Sequence, residues 1–276
     1  MALLWIESFD SFVTADLAEK YAFSSSAAPA ITAGAGRRST AAIRLWYATW
    51  IKKLLAPSGT TVIVGFSVRL EGMPASSLGG LAGVQHGSVN QVSLTADTDG
   101  TLQVWAGNPG DTLLGSGGMI TNGVPYFIEM KVVLGTGTSG SVIVRINETE
   151  VINVTGVNTA PSGTAIWSQT WLGGVTNPSA GGYTYIDDWH VLDGSGAAPL
   201  NDFLGDCRVD KRIPTADGAV ADWTPLSGTR ASNVDDAAPD DDTTYNSTLT
   251  AGATDTFVVE DAPVVGATVY GVQLNV

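Results

Sequence analysis

The nine residues from Tyr126 to Leu134 constrain this chain more than any other stretch. Tyr126, Ile128, Met130, Val132 and Leu134 fall on one side of an extended backbone, with Glu129 and Lys131 on the other, because successive strand side chains point to opposite faces. Such a strand rests one face on a core and turns the other to water, as in an antiparallel sheet. The chain then repeats the pattern. Val142, Val144 and Ile146 alternate with Ile143 and Arg145, Asn147-Glu148 supply a turn, and Val151, Ile152 and Val154 return, which predicts a hairpin. A second hairpin is predicted over Val92–Trp105, turned at Asp97-Thr98-Asp99-Gly100, where Gly100 can take a positive φ. Further strands are expected at Leu3–Phe9, Ser39–Trp46, Thr60–Leu70, Val89–Thr95, Leu102–Ala106, Glu150–Val154, Ala165–Leu172 and Tyr183–Leu192. Helix signals are sparse. Thr14–Tyr21 reads as two turns capped by Thr14. Trp46, Trp50 and Leu54 have helical spacing, but the aromatic residues favour a strand there.

Only 14% of residues are charged, well under the roughly 25% of ordinary domains. With 33 glycines between the apolar runs, this texture predicts an all-β chain of short strands and tight turns. Residues 1–193 are long enough to bury a two-sheet core without metal or disulfide. The single cysteine, Cys207, excludes an intrachain disulfide and reads as a small buried hydrophobe. Residues 194–202, following Asp193, read as a linker. Residues 203–276 form a partial second β domain, with strands expected at Phe203–Lys211, Thr254–Val259 and Thr268–Val276. So few strands do not close a sandwich, so this part is expected to be completed by a neighbour.

Charge limits the partners. The chain carries a net −14, with four basic and thirteen acidic residues after Ser195, which argues against nucleic acid and anionic membrane. No apolar run is long enough to span a bilayer. The segment from Met1 to Phe12 has neither a basic start nor an apolar core of signal length, so a chain made in a reducing cytoplasm is expected.

Four features in order carry a family likeness: Glu7-Ser8-Phe9-Asp10, the Phe127–Leu134 strand, the Val142–Val154 hairpin, and Tyr185-Ile186-Asp187-Asp188-Trp189-His190-Val191. On these the first 193 residues resemble a concanavalin A-like jelly roll of the laminin-G and pentraxin type. The junction Ile186–Gly196 with Asn201–Asp206, and then Trp223-Thr224-Pro225, Asn233-Val234-Asp235 and Pro239–Tyr245, resembles segments of tailed-bacteriophage virion structural proteins. That resemblance implies a virion part, tail-associated as a fibre or accessory protein, with capsid decoration or head fibre as the variant. It also implies partners among other virion proteins and further copies of the chain, commonly as a trimer.

No E-x-D-x-x-E or E-x-D-x-E run is present, and Glu148 and Glu150 sit at a hairpin rim where nothing desolvates either one. His86 and His190 have no partner pattern for nucleophilic work, and no G-x-S-x-G elbow occurs. The chain is therefore expected to be non-catalytic, with no cofactor. Asp97-x-Asp99-Gly100 is explained by a turn, and Asp187 and Asp188 point to opposite faces unless a bulge intervenes, so calcium there is left open and no metal residue is assigned. The competing function is recognition of a host surface glycan. Trp105, beside Gly107-Asn108-Pro109-Gly110, is the ring placed to be exposed, and Trp105 and Asn108 are the candidate contacts.

Overall fold

The computed structural model describes residues 3–11, 13–24, 28–57, 59–74, 79–175, 182–236, 243–261 and 266–273. The chain divides into two compact units, Met1–Phe9 with Thr14–Val209, and Asp10–Val13 with Asp210–Val276.

The strands of the first unit are, in chain order, β1 (Leu3–Glu7), β2 (Ala22–Phe23), β3 (Ala30–Thr32), β4 (Ala42–Leu45), β5 (Trp50–Leu54), β6 (Thr61–Glu71), β7 (Gly80–His86), β8 (Val89–Ala96), β9 (Thr101–Ala106), β10 (Thr112–Met119), β11 (Pro125–Val133), β12 (Gly140–Ile146), β13 (Thr149–Val157), β14 (Gln169–Gly173) and β15 (Tyr183–Leu192). They make two antiparallel sheets. Sheet A runs β13-β12-β11-β6-β15-β4-β3, with β1 also on β15, and sheet B runs β10-β9-β8-β7-β14-β5-β2. This is a two-sheet antiparallel sandwich, as the alternation predicts, of the jelly-roll kind that the resemblance implies.

The core forms where the apolar faces meet. Ile128, Met130 and Val132 of β11 stand beside Phe66, Val64 and Val62 of β6, and Leu172, Ala82, Leu94 and Val104 align across sheet B. All of these side chains are fully buried, each contributing about 1.5–3 kcal/mol for the larger ones. At one end the Glu7-Ser8-Phe9-Asp10 turn is locked from inside. The Glu7 carboxylate accepts the Phe9 N–H at 3.0 Å and the Tyr21 hydroxyl at 2.8 Å, and burial pushes its pKa up.

Several local expectations are corrected. Glu129 does alternate away from the core, but only 1% of it is exposed, because residues 203–209 cover that part of sheet A. Those residues form no strand; they bond to side chains of the sheet. Thr14 does not cap: its hydroxyl accepts the Ile31 N–H, and the segment is a 3-10 turn, Thr14–Asp16, followed by a short helix, Leu17–Lys20. The strand through Trp46 breaks at 46–49, where Ala48 has φ 61°, and the chain passes from sheet A to sheet B. The strand expected at Ala165–Leu172 begins only at Gln169. Strands β7 and β10 were not expected at all.

In the second unit, β16 (Pro214–Ala221) pairs with β19 (Asp255–Val259), and β17 (Thr224–Pro225) pairs with β18 (Asn246–Ser247). Among its described residues Ala231 is the buried apolar side chain. Arg230, itself buried, lies 3.5 Å from both Asp217 and Asp255. Of the strand expected at Thr268–Val276, residues 268–273 are not extended into a ladder, and 274–276 lie outside the described residues.

Candidate functional site

One cross-strand row organises the outer face of sheet B. Lys52, Trp171, Gly83, Ser93, Trp105 and Leu113 follow one another across β5, β14, β7, β8, β9 and β10. They alternate with the core residues, so this row points away from the core. Gly83 explains itself here. A Cβ on it would stand 2.4 Å from Trp171 Cε2, and one on Gly80 would stand 2.3 Å from Trp171 Cη2. Two glycines thus let the indole lie flat on β7.

A chain of amides fixes this surface. The Trp171 Nε1–H and the Gln85 side-chain amide both donate to Asn90 Oδ1, at 3.0 and 2.6 Å. Asn90 Nδ2 donates to Asn108 Oδ1 at 2.8 Å, and Asn108 Nδ2 to Asp111 Oδ2 at 3.2 Å. Trp105 Nε1–H donates to Thr95 Oγ1 at 3.0 Å, and Gln103 Nε2 to Asp97 Oδ2 at 3.1 Å. Ser93, Thr95, Gln85 and Gln91 are buried, while Trp50, Lys52, Asn90, Gln103, Trp105 and Gln169 are half-buried and Asn108 is exposed. The Lys52 ammonium lies 4.0 Å above the Trp50 ring, and burial holds it below the usual lysine range. The arrangement offers aromatic surfaces, amide donors and acceptors, and little net charge.

Trp105 and Asn108, the candidates from the sequence, both lie on this face, joined to it through Thr95 and Asn90. Trp171, Asn90, Gln85 and Lys52 were missed, because the adjacency of β14, β7 and β8 is not written in local sequence. His86 ends β7, half-buried, with Nδ1 lacking a protein partner.

The remaining candidates lie elsewhere. Glu148 and Glu150 are exposed at the β12–β13 turn. A bulge interrupts the β6–β15 register between Asp187 and His190, with Asp188 at φ 51°. Asp187 Oδ2 accepts the Arg37 N–H and the Thr40 hydroxyl, and Asp188 pairs with Arg37 at 3.0 Å. Among the described residues no group of three or more His, Cys, Asp or Glu is placed to hold a metal ion. Cys207 is half-buried, its thiol pushed up to about 12 by burial.

No family model matches the chain, and no curated protein sequence matches it. Solved structures do resemble it. The alginate lyase of Aplysia kurodai is 13% identical, with a TM-score of 0.49, over 68% of this chain and 98% of the lyase. Domain 4 of an extracellular arabinanase from Geobacillus stearothermophilus, solved with arabinotriose, is 18% identical over 73% and 98% of the two chains, with a TM-score of 0.48. An endo-β-1,4-glucuronan lyase from Trichoderma reesei is 11% identical over 68% and 94%, with a TM-score of 0.48. At these identities the likeness is one of fold. It nevertheless corrects the expectation of a non-catalytic chain: two of these sandwiches are lyases, and the missing carboxylate run bears on glycoside hydrolysis alone.

Proposed function

We propose that the first unit binds a saccharide chain on the outer face of sheet B. The observation that carries this is the row Lys52–Trp171–Gly83–Ser93–Trp105 with its amide chain. A pyranose has apolar faces that stack on indole rings and hydroxyls that pair with amides, and half-buried Trp50 and Trp105 with Asn90, Gln103, Asn108 and Gln169 supply both. The buried amides beneath them hold these groups in place without an ordering cost on binding. The carbohydrate-active neighbours accord with this reading.

The test is a glycan array followed by calorimetry on the best ligand. Trp105→Ala and Asn90→Ala should each weaken binding at least tenfold with unchanged circular dichroism. Full affinity in both variants would refute the assignment. Incubating the ligand with the wild type and with Lys52→Met, and following chain length, determines whether the bound polymer is also cut.

A second reading is assembly on a tailed-phage particle through residues 210–276. Trp223, Leu226, Tyr245, Val258 and Val272 of that unit are exposed, apolar side chains that a partner chain would cover. Analytical ultracentrifugation of the full chain should give a discrete oligomer, and a monomer at all concentrations would count against it.

A further inference from the structure

Residues 202–209 lie along the outer face of sheet A, fastened by side chains. Glu129 Oε1 accepts the N–H groups of Leu204 and Gly205 at 2.9 and 3.1 Å. Glu148 Oε1 accepts that of Asp206 at 3.2 Å, and Asp188 Oδ1 that of Val209 at 2.8 Å. The Arg37 guanidinium donates to the Cys207 carbonyl at 2.6 Å and pairs with Asp206. Lys131 Nζ meets Asp202 at 3.0 Å, and the Arg145 guanidinium sits 4.1 Å over the Phe203 ring. Among the described residues, the segment's backbone–backbone bonds are internal to residues 199–207. It can therefore detach without breaking a ladder.

Beneath it is a buried polar row. Arg145, Glu129, Gly65 and His190 are successive cross-strand partners on β12, β11, β6 and β15. The His190 imidazole lies over Gly65, where a Cβ would stand 2.1 Å from its Cε1, and stacks on Phe127. Glu129 Oε2, both His190 nitrogens and Arg145 Nε are buried with no protein partner. A charge on Glu129 is poorly served in this place.

We propose that residues 202–209 are a proton-gated strap, shut over the Glu129–His190 row while Glu129 carries a proton and released as Glu129 ionises. Burial makes the closed ionised state unfavourable and Glu148 from the β12–β13 turn repels it, outweighing the Leu204 and Gly205 N–H groups and Arg145, which favour the charge. Arg37 is committed to Asp188 and Asp206, Lys131 to Asp202, and Arg145 is drawn over Phe203. His190 is held neutral, its pKa lowered to about 4 by burial. Burial likewise raises Glu129 from 4.5 to about 7, so the closed form keeps its proton toward neutrality. Once the strap lifts, water solvates the carboxylate and the ordinary value returns. Opening is thus coupled to proton release. The opening constant rises tenfold per pH unit between about 4.5 and 7, roughly 300-fold in all, and levels off above. Asp188, which holds Val209 and is also raised by burial, acts in the same direction.

The test is amide hydrogen exchange on the full chain from about pH 5 to about pH 8, corrected for the intrinsic rate. Protection at Leu204 and Gly205 should fall by roughly 40-fold between about pH 5 and pH 7 and then level off, while amides of β6 hold constant. Glu129→Gln should flatten the profile. Phe203→Ala, which removes the ring under Arg145 and loosens the strap, should lower protection at every pH. A flat wild-type profile, an unchanged slope in Glu129→Gln, or parallel loss of protection in β6 would each overturn the proposal.

Discussion

Gly83→Ala isolates the contact on which the outer face of sheet B depends. The added methyl would stand 2.4 Å from Trp171 Cε2, Cζ2 and Nε1, about 1 Å inside ordinary carbon–carbon contact. An indole held by its bond to Asn90 of β8 must lift to clear the methyl. Overpacking of this kind costs about 1–3 kcal/mol, and losing the 3.0 Å bond from Trp171 Nε1 to Asn90 adds about 1 kcal/mol. A total near 3 kcal/mol lowers the melting temperature of a unit this size by roughly 10 °C. The assay is urea unfolding of the wild type, Gly83→Ala, Trp171→Leu and the double variant. In the Trp171→Leu background the alanine should cost under about 1 kcal/mol, giving a coupling energy near 2 kcal/mol. The same cost with and without the indole would refute the reasoning, as would retained saccharide binding in the single variant.

Met130→Asp, placing a carboxylate among fully buried core side chains, should prevent the first unit from folding, whereas Lys131→Asp, on the half-buried face, should cost about 1 kcal/mol; similar losses in urea melts would contradict the inward and outward assignment. Between about pH 4.5 and 7 Glu129 is protonated in the fold and ionised in the unfolded chain, so its contribution falls as pH rises; His190 is neutral in the fold and charged in the unfolded chain from about 6.5 down to 4, so its contribution falls as pH drops. Each shift corresponds to about 3 kcal/mol, and the two oppose. Glu129→Gln should therefore lose stability on acidification and His190→Phe should gain it, read as urea midpoints near pH 5 and pH 7 that move in opposite directions.

The sandwich was legible wherever a strand carried branched or aromatic side chains in strict alternation. Tyr126–Leu134, the Asn147-Glu148 turn and the Gly100 turn all fold as their residues dictate. Strands β7 and β10 escaped because glycine disguised them. Gly79-Gly80-Leu81-Ala82-Gly83 reads as a loop until Trp171, ninety residues later, is seen lying on it. Gly117 and Gly118 of β10 likewise make way for Val151 of β13. Glu129 shows the same limit from another side: alternation gave its face, and only the path of residues 203–209 gives its burial. Trp105 and Asn108 stood out because a loop flanks them, while Asn90 and Gln85 became candidates only once long-range pairing placed them beside Trp171.

The position of β15 governs when this unit can form. It lies in the middle of sheet A, bonded to β6 on one side and to β4 and β1 on the other, and β14 likewise separates β7 from β5 in sheet B. Both central strands are translated after all the neighbours they join. A nascent chain short of Gln169 holds each sheet as two halves with bare edges, and one short of Tyr183 still holds sheet A so, open to pairing with other chains. Closure joins strands distant in sequence, so this unit folds slowly and only once β15 has been made. A destabilised β15 would therefore be felt first as aggregation during synthesis, before any loss appears in the finished protein.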